Sequence, residues 1–208
     1  MAEPLPSPEP GTPRPAEPPW RGVLDVGSPR EVLARLIAGD PLELGRRCQE
    51  RTHSQALLLD SRRLYLRASA HVARHAPKYA GTPEIDIWLA EHIRKALKEI
   101  VAEDAERARA RDLLDVPEDP WILGIAGLLG VEPALAARGC AAFNHASYEV
   151  RSAFFGVVLG AKPLANWARE NGASADRARA HLKRAFWLLG ARDDLDLDDL
   201  MEGLADEP

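Results

Sequence analysis

The chain contains 208 residues, of which 46% are hydrophobic, 28% charged and 6% aromatic, and its formal charge is −5. This length allows one or two domains with real cores, so a mini-protein and a repeat array are excluded. Neither a signal-peptide pattern nor a run of about eighteen apolar residues occurs, which predicts a cytoplasmic protein without a membrane span.

The first elements are a proline-rich leader and two helix starts. Eight of the 17 prolines fall within the first nineteen residues, where few apolar side chains are available for a core, so residues 1–27 are predicted to be a disordered leader. Ser28–Glu31 has the spacing of a capping box, with Pro29 at the first helical position. Asp40–Glu43 repeats this pattern after Gly39 and predicts the start of a second helix.

Two longer helices are predicted next. The stretch from about Ser54 to Ala76 contains no Gly or Pro and is rich in Leu, Ala and Arg, which predicts one long helix that Pro77 ends. Thr82-Pro83 begins another, which extends to about Arg111. Its apolar residues recur at three- and four-residue steps and predict a buried stripe: Ile85, Trp88, Leu89, Ile93, Ala96 and Ile100. Because strand signals are essentially absent, the fold is predicted to be all-α.

A polar stretch divides the chain into two parts. Between Asp112 and Pro120 the helical pattern stops, and we place a linker at residues 113–120. This linker joins two small helical domains, 28–112 and 121–192. Three short helices are predicted at the beginning of the second domain, over 121–129, 133–143 and 148–159.

The last two predicted helices form a helix-turn-helix. Pro163–Glu170 is the first helix, Asn171-Gly172 supply a tight turn, and Ser174 caps a second helix that runs to about Leu189. The inner stripe of the second helix consists of Ala178, Leu182, Ala185, Phe186 and Leu189. Four basic residues lie outside this stripe and are the candidates for contacts in a DNA major groove: Arg177, Arg179, Lys183 and Arg184. A bundle hairpin with a solvated charged face has the same signature, and that alternative stays open.

Charge is distributed in blocks along the chain. Residues 160–192 contain seven basic and two acidic residues, whereas 193–208 contain eight acidic and no basic ones. The compact positive block favours nucleic-acid binding. For the acidic tail two hypotheses stay open: it folds back on Arg177–Arg192 and competes with DNA, or it only keeps the chain in solution.

Signals for catalysis and for metal binding are weak. His71 and His75 lie four residues apart on one predicted helix, but no third ligand stands near them in the sequence, so no metal site is predicted. Cys48 and Cys140 lie far apart without partners at ligand spacing, which indicates neither a zinc site nor a disulfide framework. No catalytic triad, phosphate-binding loop or paired carboxylate stands out, so the chain is predicted not to be an enzyme and to use no cofactor.

Three stretches resemble one bacterial family. They are, in chain order, Glu31–Pro41, then Lys78–Gly81 with Trp88–Arg94, and last Arg151–Phe154 with the helices up to Leu189. The first ends in Ala-Gly-Asp-Pro, and the last contains the run His-Leu-Lys-Arg-Ala at His181–Ala185. Over about residues 30–190 the chain resembles a small two-domain sigma factor of the extracytoplasmic-function type.

The resemblance implies a transcription initiation factor. Its first domain would bind core RNA polymerase, with contacts at Asp60, Arg63 and Arg67, and both domains would recognise promoter DNA. Besides the four basic residues above, the DNA contacts that it implies are Lys78, Tyr79, Arg94, Lys95, Lys98, Ser174 and His181. The loop tyrosine would stack on an unpaired base and the basic helix face would hold the DNA backbone. The expected partners are promoter DNA and core polymerase, and an anti-sigma factor is a further candidate partner.

Two questions stay open at this point. Trp88 lies on the apolar stripe, where a core role competes with a role in strand opening. Asp60–Arg67 lacks the acidic, glutamine-containing run that the family usually has on its polymerase-docking helix. The alternative function is therefore a degenerate sigma-like interaction protein or transcription regulator without promoter recognition.

Overall fold

The computed structural model describes residues 20–25, 27–109 and 120–190, and every regular element within these ranges is helical. The predicted all-α fold is thereby confirmed. The predicted tail, and the predicted linker apart from Pro120, lie outside the described residues. The helices are α1 (Arg21–Leu24), α2 (Pro29–Gly39), α3 (Leu44–Ser54), α4 (Ser61–His75), α5 (Ile85–Arg109), α6 (Pro120–Leu129), α7 (Pro133–Asn144), α8 (Tyr148–Ala153), α9 (Leu164–Glu170) and α10 (Ala175–Leu188), with a 3-10 turn at Ala76–Lys78 and a π-helical turn at Phe154–Leu159.

The end of the predicted leader belongs to the fold. Val23 and Leu24 of α1 are buried in the core of the N-terminal half, and Trp20 packs against the same core. The proline-rich composition that predicts disorder stops at Pro19, so the predicted boundary at residue 27 is wrong. A short apolar turn beyond the prolines is enough to pack against α2.

Helices α2 to α5 form the N-terminal half, in which α4 packs against α2, α3 and α5. The predicted capping box is present at α2: the Glu31 N–H donates to the Ser28 hydroxyl, and the Ser28 N–H donates to the Glu31 carboxylate. Helix α3 begins at Leu44, later than predicted, because the Asp40 carboxylate accepts hydrogen bonds from the N–H groups of Leu44 and Gly45 (2.7 and 2.8 Å). The predicted stripe of α5 is buried in this core at Trp88, Leu89, Ile93, Ala96 and Ile100, with Ile85 partly buried.

The predicted long helix over Ser54–Ala76 is wrong at its beginning. Helix α3 ends at Ser54 and α4 begins only at Ser61. Between them Ala56 has a φ of +47°, a left-handed conformation that an α-helix cannot contain. The Asp60 carboxylate then caps α4 by accepting a backbone N–H at 2.8 Å. Helix-favouring composition is overridden here by contacts with the other half of the molecule.

The segment between α3 and α4 contributes to two cores. Leu57 and Leu59 are buried in the core of the N-terminal half, whereas Leu58 is buried among residues of the C-terminal half. Such alternation is typical of extended chain, in which successive side chains lie on opposite faces. The Leu58 N–H donates to Asn144 Oδ1 (2.8 Å), and the Leu58 C=O accepts from Asn144 Nδ2 (3.0 Å). One side-chain amide therefore pairs with both backbone groups of Leu58, as a neighbouring strand would.

Helices α6 to α10 form the C-terminal half around three phenylalanines. Phe154 packs edge-on against Phe143 and Phe186, with ring centroids 5.3 and 5.7 Å apart. The predicted helices over 121–129 and 133–143 are confirmed, and the one over 148–159 changes from α to π geometry at Phe154. Within the described ranges, no helix alone combines the length and apolarity needed to cross a bilayer; α6 and α7 meet that test only as a pair, across a bend of 94°.

Two glycines allow close contacts within the C-terminal half. A Cβ atom on Gly139 would lie 2.8 Å from the backbone of Leu189, so α7 approaches the end of α10 closely at this point. A Cβ atom on Gly156 would overlap the ring of the buried Trp167. Both contacts fix the position of α9 and α10 against the rest of this half.

Candidate nucleic-acid interface

Helices α9 and α10 pack against each other and are joined by a short turn. The turn contains Gly172, whose φ of +63° favours glycine. The Ser174 hydroxyl caps α10 by accepting a hydrogen bond from the Arg177 N–H (3.2 Å). The two predicted helices and the predicted cap are therefore confirmed.

The two sides of α10 differ in chemistry. The predicted inner stripe is buried: Ala178, Leu182, Ala185, Phe186 and, just after the helix, Leu189. The four predicted basic side chains are exposed: Arg177, Arg179, Lys183 and Arg184. Arg177 and Arg184 are seven residues apart, so they share one stripe and lie about 10.5 Å apart along the helix axis. The outer face of α10 is therefore cationic.

An exposed tryptophan accompanies the basic residues. The Arg184 guanidinium lies 4.3 Å from the centroid of the Trp187 ring, and 58% of Trp187 is exposed. Such a cation–π contact holds both groups in place. Trp187 is not among the site residues predicted from the sequence, although its position one turn after Arg184, outside the apolar stripe, indicates exposure. A flat aromatic ring beside a cation offers a stacking surface for a nucleotide base.

Other groups limit the cationic character of this face. Arg179 forms an exposed ion pair with Asp176 at 3.3 Å. His181 is half-buried, and the exposed Ser174 already uses its hydroxyl in the helix cap. The pKa of Glu149 in α8 is lowered by hydrogen bonds from its own N–H and from Ser147, and further by the charges of His181 and Arg177. One carboxylate therefore lies near the N-terminal end of the basic face.

Tyr79 is packed into the N-terminal half. Its ring stacks on Trp88, with centroids 4.4 Å apart, and meets the ring of Trp20 edge-on at 4.9 Å. Its hydroxyl donates to the Pro83 carbonyl (2.8 Å). Trp88 is buried, so the core role of Trp88 is confirmed. One face of the Tyr79 ring is therefore occupied by Trp88, whereas the neighbouring Lys78 is exposed.

The basic residues predicted on α5 are exposed: Arg94, Lys95 and Lys98. Arg94 lines a groove of about 550 Å³ between α3 and α5, together with Arg47 and Arg51. Two glutamates line the same groove, so its charge is mixed. The exposed cations of α5 thus lie on a different helix from those of α10, and each set can contact DNA without disturbing the core.

The predicted polymerase contacts are engaged within the molecule. Asp60 caps α4. Arg63 donates two hydrogen bonds to the Asp104 carboxylate (2.7 and 2.9 Å), and Arg67 donates two to Glu103 (2.7 and 3.0 Å). The hydrogen bond from Arg67 lowers the pKa of Glu103. These pairs join α4 to α5, so the guanidinium groups of Arg63 and Arg67 already make their short hydrogen bonds within the molecule.

Three histidines meet between α4 and α5. His71 and His75, which lack a third ligand among their sequence neighbours, are joined by the buried His92: one ring nitrogen of each lies within 4.8 Å of the other two. Burial lowers the pKa of His92 to about 4, and the charges of His75, Lys95 and His71 act in the same direction. His92 is therefore neutral at pH 7, which is the form of imidazole that binds metal ions. The sequence missed this group because His92 lies in the apolar stripe of another helix.

No family model, no curated protein and no solved structure matches the chain. The function is therefore inferred from three features of the structure: the cationic face of α10, the exposed basic residues of α5 and the charged groups between α4 and α5.

Proposed function

We propose that this chain is a sigma-like transcription initiation factor, which recognises promoter DNA through α10 and binds core RNA polymerase through its N-terminal half. The observation that carries the proposal is the exposed cationic face of α10, on a helix whose other face is buried. The choice of polymerase and promoter as partners rests on the sequence resemblance to the sigma family, which lies in Glu31–Pro41, in Lys78–Gly81 with Trp88–Arg94, and in Arg151–Phe154 with the helices up to Leu189.

Helix α10 has the dimensions of a recognition helix. Its 14 residues span about 21 Å, and a major groove about 12 Å wide admits one α-helix. Helix α9 packs against it across a short turn, and in this proposal the pair acts as a helix-turn-helix. In that motif the second helix enters the groove and the first crosses the DNA backbone.

The outer face of α10 is suited to two kinds of contact. Arg177 and Arg184, on one stripe, are able to bond to guanine edges in the bidentate geometry that discriminates bases. The exposed Ala180 lies between them and leaves room for the base pairs. Arg179 and Lys183 lie towards one edge of the face, where the phosphates of a groove run.

The N-terminal half contributes Lys78, Arg94, Lys95 and Lys98 to DNA binding in this proposal. Tyr79 is assigned to packing, because its ring stacks on Trp88 and contacts Trp20 while its hydroxyl donates to Pro83. In this proposal polymerase binding uses surfaces other than the guanidinium groups of Arg63 and Arg67, since these are paired with α5.

The same ion pairs favour a second candidate function. If Arg63 and Arg67 serve only to join α4 to α5, the chain lacks the polymerase contacts that the resemblance implies. It would then be a sigma-like interaction protein or regulator without promoter recognition. In that case the outer face of α10 is a solvated helix face.

Replacing Arg177, Arg179, Lys183 and Arg184 by alanine is expected to weaken binding to double-stranded DNA by about tenfold or more, because each bidentate base contact contributes about 1–3 kcal/mol. The salt dependence should fall as well, by about 0.9 in the slope of log affinity against log salt for each phosphate that the variant no longer neutralises. The measurement is fluorescence anisotropy of a labelled duplex with the full chain across a salt series.

The control for this variant removes the same charge elsewhere, by alanine substitution of four exposed arginines on other helices: Arg30, Arg62, Arg74 and Arg109. It is expected to retain most of the affinity and slope of the wild type, because it leaves α10 intact. Equal slopes for the wild type and the α10 variant would contradict DNA binding by this face, provided that far-ultraviolet circular dichroism shows both to be folded.

Core RNA polymerase subunits are expected to co-purify with the tagged protein, and the reconstituted complex is expected to start transcripts at a promoter. The double variant R63A/R67A should co-purify with polymerase as well as the wild type does, because its guanidinium groups bind α5. Polymerase binding without initiation would favour the interaction protein. Failure of polymerase to co-purify at all would contradict both the initiation factor and a polymerase-bound regulator.

A further inference from the structure

A ladder of polar pairs runs between α4 and α5 and ends at the three histidines. Helix α4 presents a side chain to α5 at every fourth residue, and the first three reach carboxylates: Arg63 to Asp104, Arg67 to Glu103 and His71 to Glu99. At the fourth step, His75 meets the ring of His92, with centroids 4.9 Å apart. The ladder thus changes from ion pairs to a cluster of imidazoles, His71, His75 and His92.

The hydrogen bonds of this cluster fix which ring nitrogen of two histidines is a donor. His71 Nε2 lies 2.8 Å from the Glu99 carboxylate, which only accepts, so Nε2 donates, and in the neutral form of the ring the lone pair is on Nδ1. His75 Nδ1 lies 2.9 Å from the His71 carbonyl, so Nδ1 donates, and in the neutral form of the ring the lone pair is on Nε2. Each of these histidines therefore has one nitrogen that is orientated by a partner and one that is able to bind a cation.

Two nitrogens of the cluster are buried without a partner. They are Nδ1 of His71 and Nδ1 of His92, and the whole side chain of His92 is buried, with 3% exposure. Buried polar atoms in folded proteins almost always have a hydrogen-bond partner, water or an ion. The ring of His92 lies between Trp88, which it meets edge-on at 4.4 Å from ring centroid to ring centroid, and the rings of His75 and His71, whose centroids are 4.9 and 6.3 Å away.

We propose that His71, His75 and His92 form a binding site for a divalent transition metal, with Zn²⁺ as the ion that fits the three imidazoles and Glu99 as the residue that orients His71. Three protein ligands leave the fourth position of a tetrahedral zinc for water. A carboxylate or a backbone carbonyl bonded to the second nitrogen is the usual support of a metal-binding histidine, and Glu99 and the His71 carbonyl occupy these places.

The distances in the cluster are compatible with this site after a small movement. Ligand nitrogens on a tetrahedral zinc lie about 3.3 Å apart, given Zn–N bonds of about 2.0–2.1 Å. One ring nitrogen of each histidine lies within 4.8 Å of one ring nitrogen of the other two, so these atoms have to approach one another by about 1.5 Å at most. Rotation about the broad terminal torsion of histidine provides such a movement. Magnesium and calcium prefer oxygen ligands and are not expected to bind.

The test is a titration of the full chain with ZnCl₂ after treatment with a chelator. Binding is measured by calorimetry and by ¹⁵N-resolved NMR of the histidine rings. One Zn²⁺ per chain is expected, with changes in the ring signals of His71, His75 and His92. The other three histidines serve as the internal control, and their signals should not move: His53, His145 and His181. MgCl₂ should change none of the six.

Two variants and one control variant complete the experiment. His92→Gln should weaken Zn²⁺ binding more than about 100-fold, and the exposed Glu99→Gln, which leaves the core intact, should weaken it by about 10–100-fold. The triple variant H53Q/H145Q/H181Q should bind as the wild type does. The proposal is overturned if Zn²⁺ does not bind saturably, if binding is unchanged in Glu99→Gln, or if the control triple variant loses it. None of these readouts depends on DNA or polymerase.

Discussion

Replacing Trp88 by alanine is expected to lower the free energy of unfolding by about 3–5 kcal/mol, the range for truncating a buried tryptophan. The indole is buried between Tyr79, which stacks on it, and His92, which meets its ring edge-on. Its removal leaves a cavity that neither neighbour is able to fill without breaking its own interactions. The measurement is urea denaturation followed by far-ultraviolet circular dichroism, which does not depend on tryptophan emission.

The control is Trp187→Ala, the same substitution at an exposed position on α10. It should change stability by less than about 1 kcal/mol, since only the surface cation–π pair with Arg184 is removed. If the Trp88 variant unfolds at the urea concentration of the wild type, Trp88 is not a core residue, and a direct role in DNA opening becomes the better explanation of its place beside Tyr79.

Replacing Asn144 by alanine is expected to lower the free energy of unfolding by about 2–6 kcal/mol, because it leaves two buried backbone groups of Leu58 without partners, and each costs about 1–3 kcal/mol. Asn144→Asp should also destabilise, since a carboxylate accepts the Leu58 N–H but has nothing to donate to the Leu58 carbonyl. Both are measured by urea denaturation, as above.

A suitable control for these variants is Asn166→Ala in α9, where the amide accepts one hydrogen bond from the exposed Arg169. A change of less than about 0.5 kcal/mol is expected there. Wild-type stability of Asn144→Ala would mean that the two halves of the molecule do not depend on this amide pair in solution.

Helices whose ends and faces are encoded locally are predictable from the sequence. Ser28 and Ser174 cap their helices because the hydroxyl and the N–H that it binds are three residues apart. The stripe of α10 from Ala178 to Leu189 is predictable for the same reason, since its period is that of the helix itself. The candidate DNA-binding residues of α10 are predictable as well, because they are the basic residues that lie outside the apolar stripe.

The break between α3 and α4 was not predictable in this way. Leu57, Leu58 and Leu59 favour a helix by composition, and the partner that holds them extended, Asn144, lies 86 residues from Leu58. Tertiary interactions routinely override helix propensity when the gain in burial and hydrogen bonding is larger. Periodicity alone carries no information about such a partner.

The groups between α4 and α5 were missed for a related reason. The spacing of Arg63 and Arg67 is typical of an exposed basic helix face. Their carboxylate partners lie 41 and 36 residues away, on α5. His92 lies in an apolar stripe, where a histidine suggests only a core position. Helices α4 and α5 follow each other in the chain and pack antiparallel. This packing brings together both the ion pairs and the third histidine.

Synthesis on the ribosome releases Leu58 long before Asn144. Leu57 and Leu59 are buried by residues of the N-terminal half, but Leu58 is buried only by residues that are synthesised later. The C-terminal half in turn lacks this leucine in its core until it meets the earlier chain. Burial of Leu58 therefore requires the docking of one half on the other, and until that step the nascent protein exposes an apolar side chain and a short backbone edge, the kind of surface that promotes aggregation.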